Sequence, residues 1–261
     1  MVEKIKPSRT VFKGEIITEF LPARPQHAGG APTKASKKVI ILCPGVPGVP
    51  HRDEVMNLLS KKGFWVFHPR YRGTWESKGK FLKKSPHQDI LDIIDQLPRG
   101  FKDSETGKTI RLKSDEIYLI GGSFGGPAAI LASKDSRIKK VVSISGVTDW
   151  RRNLRTVEPL DQMKKYVKEY FGRAYDFDNK DWDKLEKGKF YNPIAEAKNL
   201  DSRKIFMIHC QDDDIVLWQP AEKFAKITGA KLWLLKKGGH LGLSVLLDPK
   251  ISKKVFDFLE G

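Results

Sequence analysis

Three kinds of side chain, far apart in the chain, have the types and order needed for nucleophilic chemistry. Gly121-Gly122-Ser123-Phe124-Gly125 fits the pattern G-x-S-x-G, which mounts a serine on a sharp turn between a strand and a helix. Downstream, "IHCQDDDIV" ends an apolar run in Asp212, Asp213 and Asp214, and "KKGGHLG" carries His240 in a glycine-flanked loop. In such a set the imidazole takes the serine proton and returns it to the leaving group. The carboxylate fixes the ring tautomer and stabilises the imidazolium. Spacing does not choose among the three acids. A metal site is not expected here, because consecutive side chains diverge and no His or Glu lies at ligand spacing.

Acyl chemistry also needs donors for a developing oxyanion. The Phe124 amide, directly after the serine and at the start of a helix, is one candidate. The second is expected from "CPGVPGVP" (43–50), where Pro44 and Pro47 lack amide hydrogens and Val46 keeps one. Trp75 and Trp150 are candidates to line an apolar substrate pocket, with core packing as the competing role. For Arg72 an ion pair holding its loop is expected, with a substrate carboxylate as the alternative.

Positioning these groups requires strand ends gathered on one rim. "KVIILC" (38–43), "FWVFHP" (64–69), "EIYLI" (116–120), "KKVVSIS" (139–145), "KIFMIH" (204–209) and "KLWLL" (231–235) read as buried strands. Helices are predicted in "RDEVMNLLSKKG" and "DILDIIDQL", near Pro127 and Pro220, and at the C-terminus. Strand–helix alternation with continuous apolar strands predicts an α/β fold with a mostly parallel sheet covered on both faces. Ligand chemistry collects at the carboxyl ends of such strands, where Ser123, the acids and His240 all fall. "VFKGEIITEFLPA" reads as an antiparallel pair at the sheet edge, and "PQHAGGAPTKAS" (25–36) as a mobile loop.

The chain reads as one domain over 1–261. Within it, residues 147–200 insert a long segment between two strands, read as a cap over the site. There Met163, Tyr166, Val167 and Tyr170 are predicted to share a helical face, and Trp182 and Leu185 suggest a second short helix.

Composition narrows the alternatives. Hydrophobic residues make up 39% of 261, enough for one large core. No apolar run approaches the ~20 residues that span a bilayer, so no membrane association is expected. "MVEKIKPSRT" lacks the apolar centre of a signal peptide, so a cytoplasmic location is the expectation. Lys and Arg total 48 against 32 Asp and Glu, a net charge of +16. These charges are interleaved along the chain, as in "KDWDKLEKGK", which favours a solvated surface over a nucleic-acid partner. Cys43 and Cys210 alone make a disulfide framework unexpected.

From residue 15 onward the chain resembles the α/β-hydrolase superfamily, and within it the catalytic domain of the prolyl oligopeptidase and acylaminoacyl-peptidase group. "PRYRGTWESKGKF" is similar to that group's Arg-Gly loop, and "GVTDW" to its segment after the sixth strand. "YNPIAEAKNL" followed by "IFMIHCQDDDIV" resembles its run leading to the acid. The resemblance implies Asp213 as the acid beside Ser123 and His240, an α/β-hydrolase fold with a helical insertion after the sixth strand, and no cofactor. "PGVPG" departs from the group's usual His-Gly-Gly, and Cys210 stands where glycine is common. The chain is too short for the group's β-propeller, so a small-ester carboxylesterase is the expected activity. An acyl-peptide peptidase, an acyltransferase using the same triad and a non-catalytic binding protein are the alternatives.

Overall fold

The computed structural model describes residues 4–24, 37–50, 52–151 and 160–261. The predicted mobile loop at 25–36 lies outside the described residues, as do 152–159 of the insertion. Among the described residues ten strands form: β1 (Ser8–Phe12), β2 (Ile16–Leu21), β3 (Lys38–Cys43), β4 (Trp65–Pro69), β5 (Phe101–Lys102), β6 (Thr109–Ile110), β7 (Glu116–Gly122), β8 (Ile138–Ile144), β9 (Ile205–Cys210) and β10 (Lys231–Leu235). The helices are α1 (Asp53–Lys61), α2 (Pro86–Gln96), α3 (Gly125–Ala132), α4 (Leu160–Tyr166), α5 (Asn179–Trp182), α6 (Trp218–Thr228) and α7 (Pro249–Glu260).

Eight strands make one sheet in the order β1-β2-β4-β3-β7-β8-β9-β10, with β5 and β6 as a separate small hairpin. Within this sheet the run β4-β3-β7-β8-β9-β10 is parallel throughout, and β2 pairs antiparallel with β1 and with β4. Continuous apolar strands follow from burial on both faces, because successive side chains point to opposite sides. In β3, Val39, Ile41 and Cys43 join one core layer while Ile40 and Leu42 join the other. The first layer is covered by α2, α3, α6 and the insertion, through Ile90, Ile93, Ala128, Phe224 and Trp182. The second is covered by α1 and α7, through Val55, Leu59, Val255 and Leu259. The Asp248 carboxylate caps α7, accepting the amides of Lys250 and Ile251 at 2.8 and 3.0 Å, with Pro249 at the first helical position.

The segment after β8 differs in detail from the periodicity. Met163 and Val167 are buried, but Tyr166 and Tyr170 are 43% and 72% exposed and pack against each other with tilted rings, centroids 4.8 Å apart. The cause is a change of winding: α4 passes into a π turn over Val167–Phe171, which rotates later residues off the buried stripe. Beyond it, residues 172–177 are laced onto the loop after β4. Trp75 N–H donates to Ala174 O at 2.6 Å, Asp176 N–H to Gly73 O at 2.7 Å, and Phe81 N–H to Asp176 O at 2.8 Å.

Candidate active site

Ser123 follows the end of β7 with a φ of +52°, and α3 begins two residues later. A left-handed turn at a non-glycine residue is costly and persists only where its surroundings enforce it. Here they do: Ser123 N–H donates to Ile144 O at 2.8 Å, and Ser123 O accepts from Gly126 N–H at 3.0 Å. Both flanking glycines are required by close approach. A Cβ on Gly121 would lie 2.1 Å from Gly125 O, and one on Gly125 would lie 2.0 Å from Cys43 O.

His240 lies past β10, in a loop pinned on both sides. Asp212 accepts the amides of Gly238 and Gly239 at 3.1 and 2.9 Å, and Ser145 Oγ accepts the Leu241 amide at 3.1 Å. The imidazole Nδ1 is 3.0 Å from Asp213 Oδ2 and 3.1 Å from Oδ1. Of the three adjacent acids, only Asp213 is buried. Burial alone would raise its pKa. Hydrogen bonds from His209 and His240, and from the amide of Val216, outweigh that and hold the carboxyl well below the usual carboxylate range. His209 Nε2 donates to Val216 O at 2.7 Å and also sits 3.3 Å from Asp213 Oδ2. The carboxylate is therefore fixed as an anion facing His240.

Ser123 and His240 border one cavity of about 440 Å³, together with Val46, Phe124, Val147, Trp150, Met163, Tyr166, Ile215 and Leu243. Among the described residues, no hydrogen bond closes between Ser123 and His240 in this geometry. The Val46 and Phe124 amides likewise donate to no other group among them. Apart from Arg52 and His240 the lining carries no titratable side chain other than Tyr166, so the cavity suits an apolar group.

Trp150 borders the cavity while buried, its Nε1 donating to Tyr191 O at 2.6 Å. Trp75 is not among the bordering residues. It packs behind the 44–50 loop, where its Nε1 donates to Gly48 O at 3.0 Å. Arg72 is also removed from the cavity. It is paired with Glu15 at 2.5 Å, with Asp92 at 2.8 Å and with Asp89. Cys43 and Cys210 are both free and buried. Among the described residues no group of three or more His, Cys, Asp or Glu converges as metal ligands, and no helix is long and apolar enough to cross a membrane. Sequence reasoning did not find Asp212, Ser145 or His209 as supports of the site. The one signal available was their position at the carboxyl ends of β8 and β9.

A mostly parallel sheet with a serine at a strand–helix corner, and a buried Asp paired with a half-buried His at the same rim, defines the α/β-hydrolase fold. The chain belongs to the prolyl oligopeptidase family, whose model matches residues 50–260. Membership supports a serine hydrolase. No curated protein matches the chain. Among solved structures it is similar to Pyrococcus horikoshii acylaminoacyl peptidase, with a TM-score of 0.66 and 19% identity over 99% of this chain and 42% of that one. An acylaminoacyl peptidase in complex with Z-Gly-Gly-Phe-chloromethyl ketone gives 0.62 and 20% identity over 98% of this chain and 41% of that one. A Pyrococcus furiosus esterase gives 0.63 and 19% identity over 98% and 89%. The chain thus spans less than half the length of those peptidases and most of the esterase. At these identities the likenesses show the fold.

Proposed function

We propose that the protein is a serine esterase cleaving small carboxylic esters through a covalent acyl-enzyme. Ser123 Oγ attacks the acyl carbon as His240 takes its proton, and Asp213 stabilises the imidazolium. The amides of Phe124 and Val46 receive the oxyanion. His240 then protonates the departing alcohol, and a water activated by the same ring releases the acid. The observation that carries this reading is the buried Asp213 carboxylate 3.0 Å from His240, on the rim of the cavity that Ser123 borders. Residues 147–200 act as a partial cap, a role supported by Met163 and Tyr166 in the lining.

A second reading, a peptidase acting on acyl-peptides, is favoured by the family and by the two peptidase likenesses. Comparing p-nitrophenyl esters with acyl-amino-acid amides separates the two. In either case Ser123→Ala is expected to lower turnover by several orders of magnitude and to abolish labelling by a fluorophosphonate. Undiminished turnover in that variant would remove the nucleophile.

A further inference from the structure

The loop at 44–50, which carries Val46, is held from behind by two aromatic side chains at a single residue, through the two peptide units that flank its Cα. Gly48 N–H donates to Tyr175 Oη at 2.9 Å, and Gly48 O accepts from Trp75 Nε1 at 3.0 Å. Neither aromatic residue belongs to the loop. Trp75 lies in the segment after β4, and Tyr175 in the segment inserted after β8. They reach Gly48 together because Thr74 and Tyr175 form an isolated antiparallel bridge.

Two further features show that this grip is enforced. Trp75 is held at a φ of +52°, a conformation a bulky side chain adopts only under constraint. Its amide donates to Ala174 O at 2.6 Å, which fixes the backbone from which the indole projects. The Tyr175 ring is 6% exposed and packs edge-on against Phe81 and Phe171, at centroid distances of 5.6 and 5.8 Å. Its hydroxyl therefore has little freedom to leave Gly48. Next to Tyr175, Gly73 approaches so closely that a Cβ there would lie 2.7 Å from Asp176 O.

We infer that Tyr175 and Trp75 are positioning residues for the oxyanion hole: by gripping Gly48 through both its N–H and its C=O they keep the Val46 amide aimed into the cavity. The inference rests on Val46 serving as an oxyanion donor, as proposed above. It makes the inserted segment part of the machinery that binds the transition state, in addition to forming a wall. A donor held in advance of reaction lowers the barrier because no reorganisation is needed as charge develops. Substrate in its ground state, with a neutral carbonyl, draws little on that preorganisation.

The test removes one polar atom at a time. Tyr175→Phe deletes the hydroxyl that Gly48 uses, Trp75→Phe deletes the indole N–H, and Tyr118→Phe deletes a hydroxyl bonded to Glu116 at the far end of β7. Each protein is assayed for p-nitrophenyl ester kinetics and for binding of an alkylboronic acid. In that adduct the Ser123 oxygen bonds to boron, its proton passes to His240, and a boron-bound oxygen occupies the oxyanion position. Tyr175→Phe and Trp75→Phe should each lower kcat by about tenfold with KM within about twofold, and weaken boronate binding in parallel. Tyr118→Phe should match the parent in all three. Either gripping variant suffices if the other fails to fold.

Unchanged kcat and boronate affinity in the gripping variants would overturn the inference, as would a loss confined to KM. If the parent protein itself neither turns over ester nor binds boronate, the functional reading fails first and the inference with it. Normal parent behaviour with unaffected variants defeats the inference alone.

Discussion

Asp212 Oδ1 accepts the amide hydrogen of Gly239 at 2.9 Å, so the residue beside the buried acid carries the loop in which that acid's partner sits. Adjacent carboxylates therefore do different work. Asp213 faces the imidazole from inside the protein, Asp212 ties down the backbone next to it from the surface, and Asp214 is exposed.

Replacing the three acids singly should separate these tasks. Asp213→Asn is expected to lower kcat by about 10⁴-fold, because the amide no longer stabilises the imidazolium or enforces its tautomer. Asp212→Asn loses a charged acceptor for two amides and should reduce kcat by about tenfold. Asp214→Asn should leave kcat and KM unchanged. Steady-state kinetics on one ester decides it, and a dominant effect at position 214 would move the acid assignment by one residue.

The glycines of the serine turn answer to folding stability. Gly125→Ala places a methyl 2.0 Å from Cys43 O, and Gly121→Ala one 2.1 Å from Gly125 O, with backbone atoms on both sides. Each should cost at least about 4 kcal/mol in urea unfolding, or prevent folding outright. Gly14→Ala has a φ of +70° but open space around it, and should cost about 1 kcal/mol.

Arg72 offers a test of charge that is structural. Arg72→Met leaves Asp89 buried without its partner and should destabilise the fold by about 3 kcal/mol. The ratio of kcat/KM between a neutral ester and one bearing a carboxylate should not change, since the guanidinium is committed to Glu15, Asp89 and Asp92.

Stability should fall on mild acidification for a reason unrelated to the reaction. Burial, assisted by the nearby Lys134 ammonium, pushes the His87 imidazole down to about 4. The unfolded chain has the ordinary value of about 6.5, so folding favours the neutral ring. This contribution is complete above about pH 6.5 and is lost as pH falls toward the folded-state value. His87→Gln should flatten the decline of the urea midpoint between those two pH values. Equal slopes in both proteins would show that the ring binds its proton equally in the folded and unfolded chains, with no depression by burial.

Much of this architecture is legible in the sequence because buried parallel strands announce themselves as unbroken apolar runs. Lys38–Cys43 and Lys231–Leu235 coincide with their predicted ranges, and the other central strands shift by two residues or fewer. The serine turn is legible because close packing admits only glycine around it. The hairpin of Phe101–Lys102 with Thr109–Ile110 is too short to leave a pattern. The place of Trp75 is hidden for another reason. Its side-chain direction depends on a left-handed backbone angle imposed by Ala174, about a hundred residues away, so an aromatic that the sequence leaves open between pocket wall and core packing stands behind the neighbouring loop. The π turn at Val167–Phe171 likewise breaks a periodicity that a straight helix would keep.

The close contact between Gly125 and Cys43 O has a consequence for how this site tolerates change. The two loops that carry Phe124 and Val46 meet main chain to main chain at Cys43, so the spacing between those two amides is set at one end by the frame of the sheet and at the other by the grip on Gly48. Side chains along 44–50 other than at Gly48, where a Cβ would lie 2.7 Å from Gly45 O, are then free to vary, provided nothing bulkier than hydrogen stands at 125. The loop Pro-Gly-Val-Pro-Gly thus has its freedom in its side chains and not in its main chain.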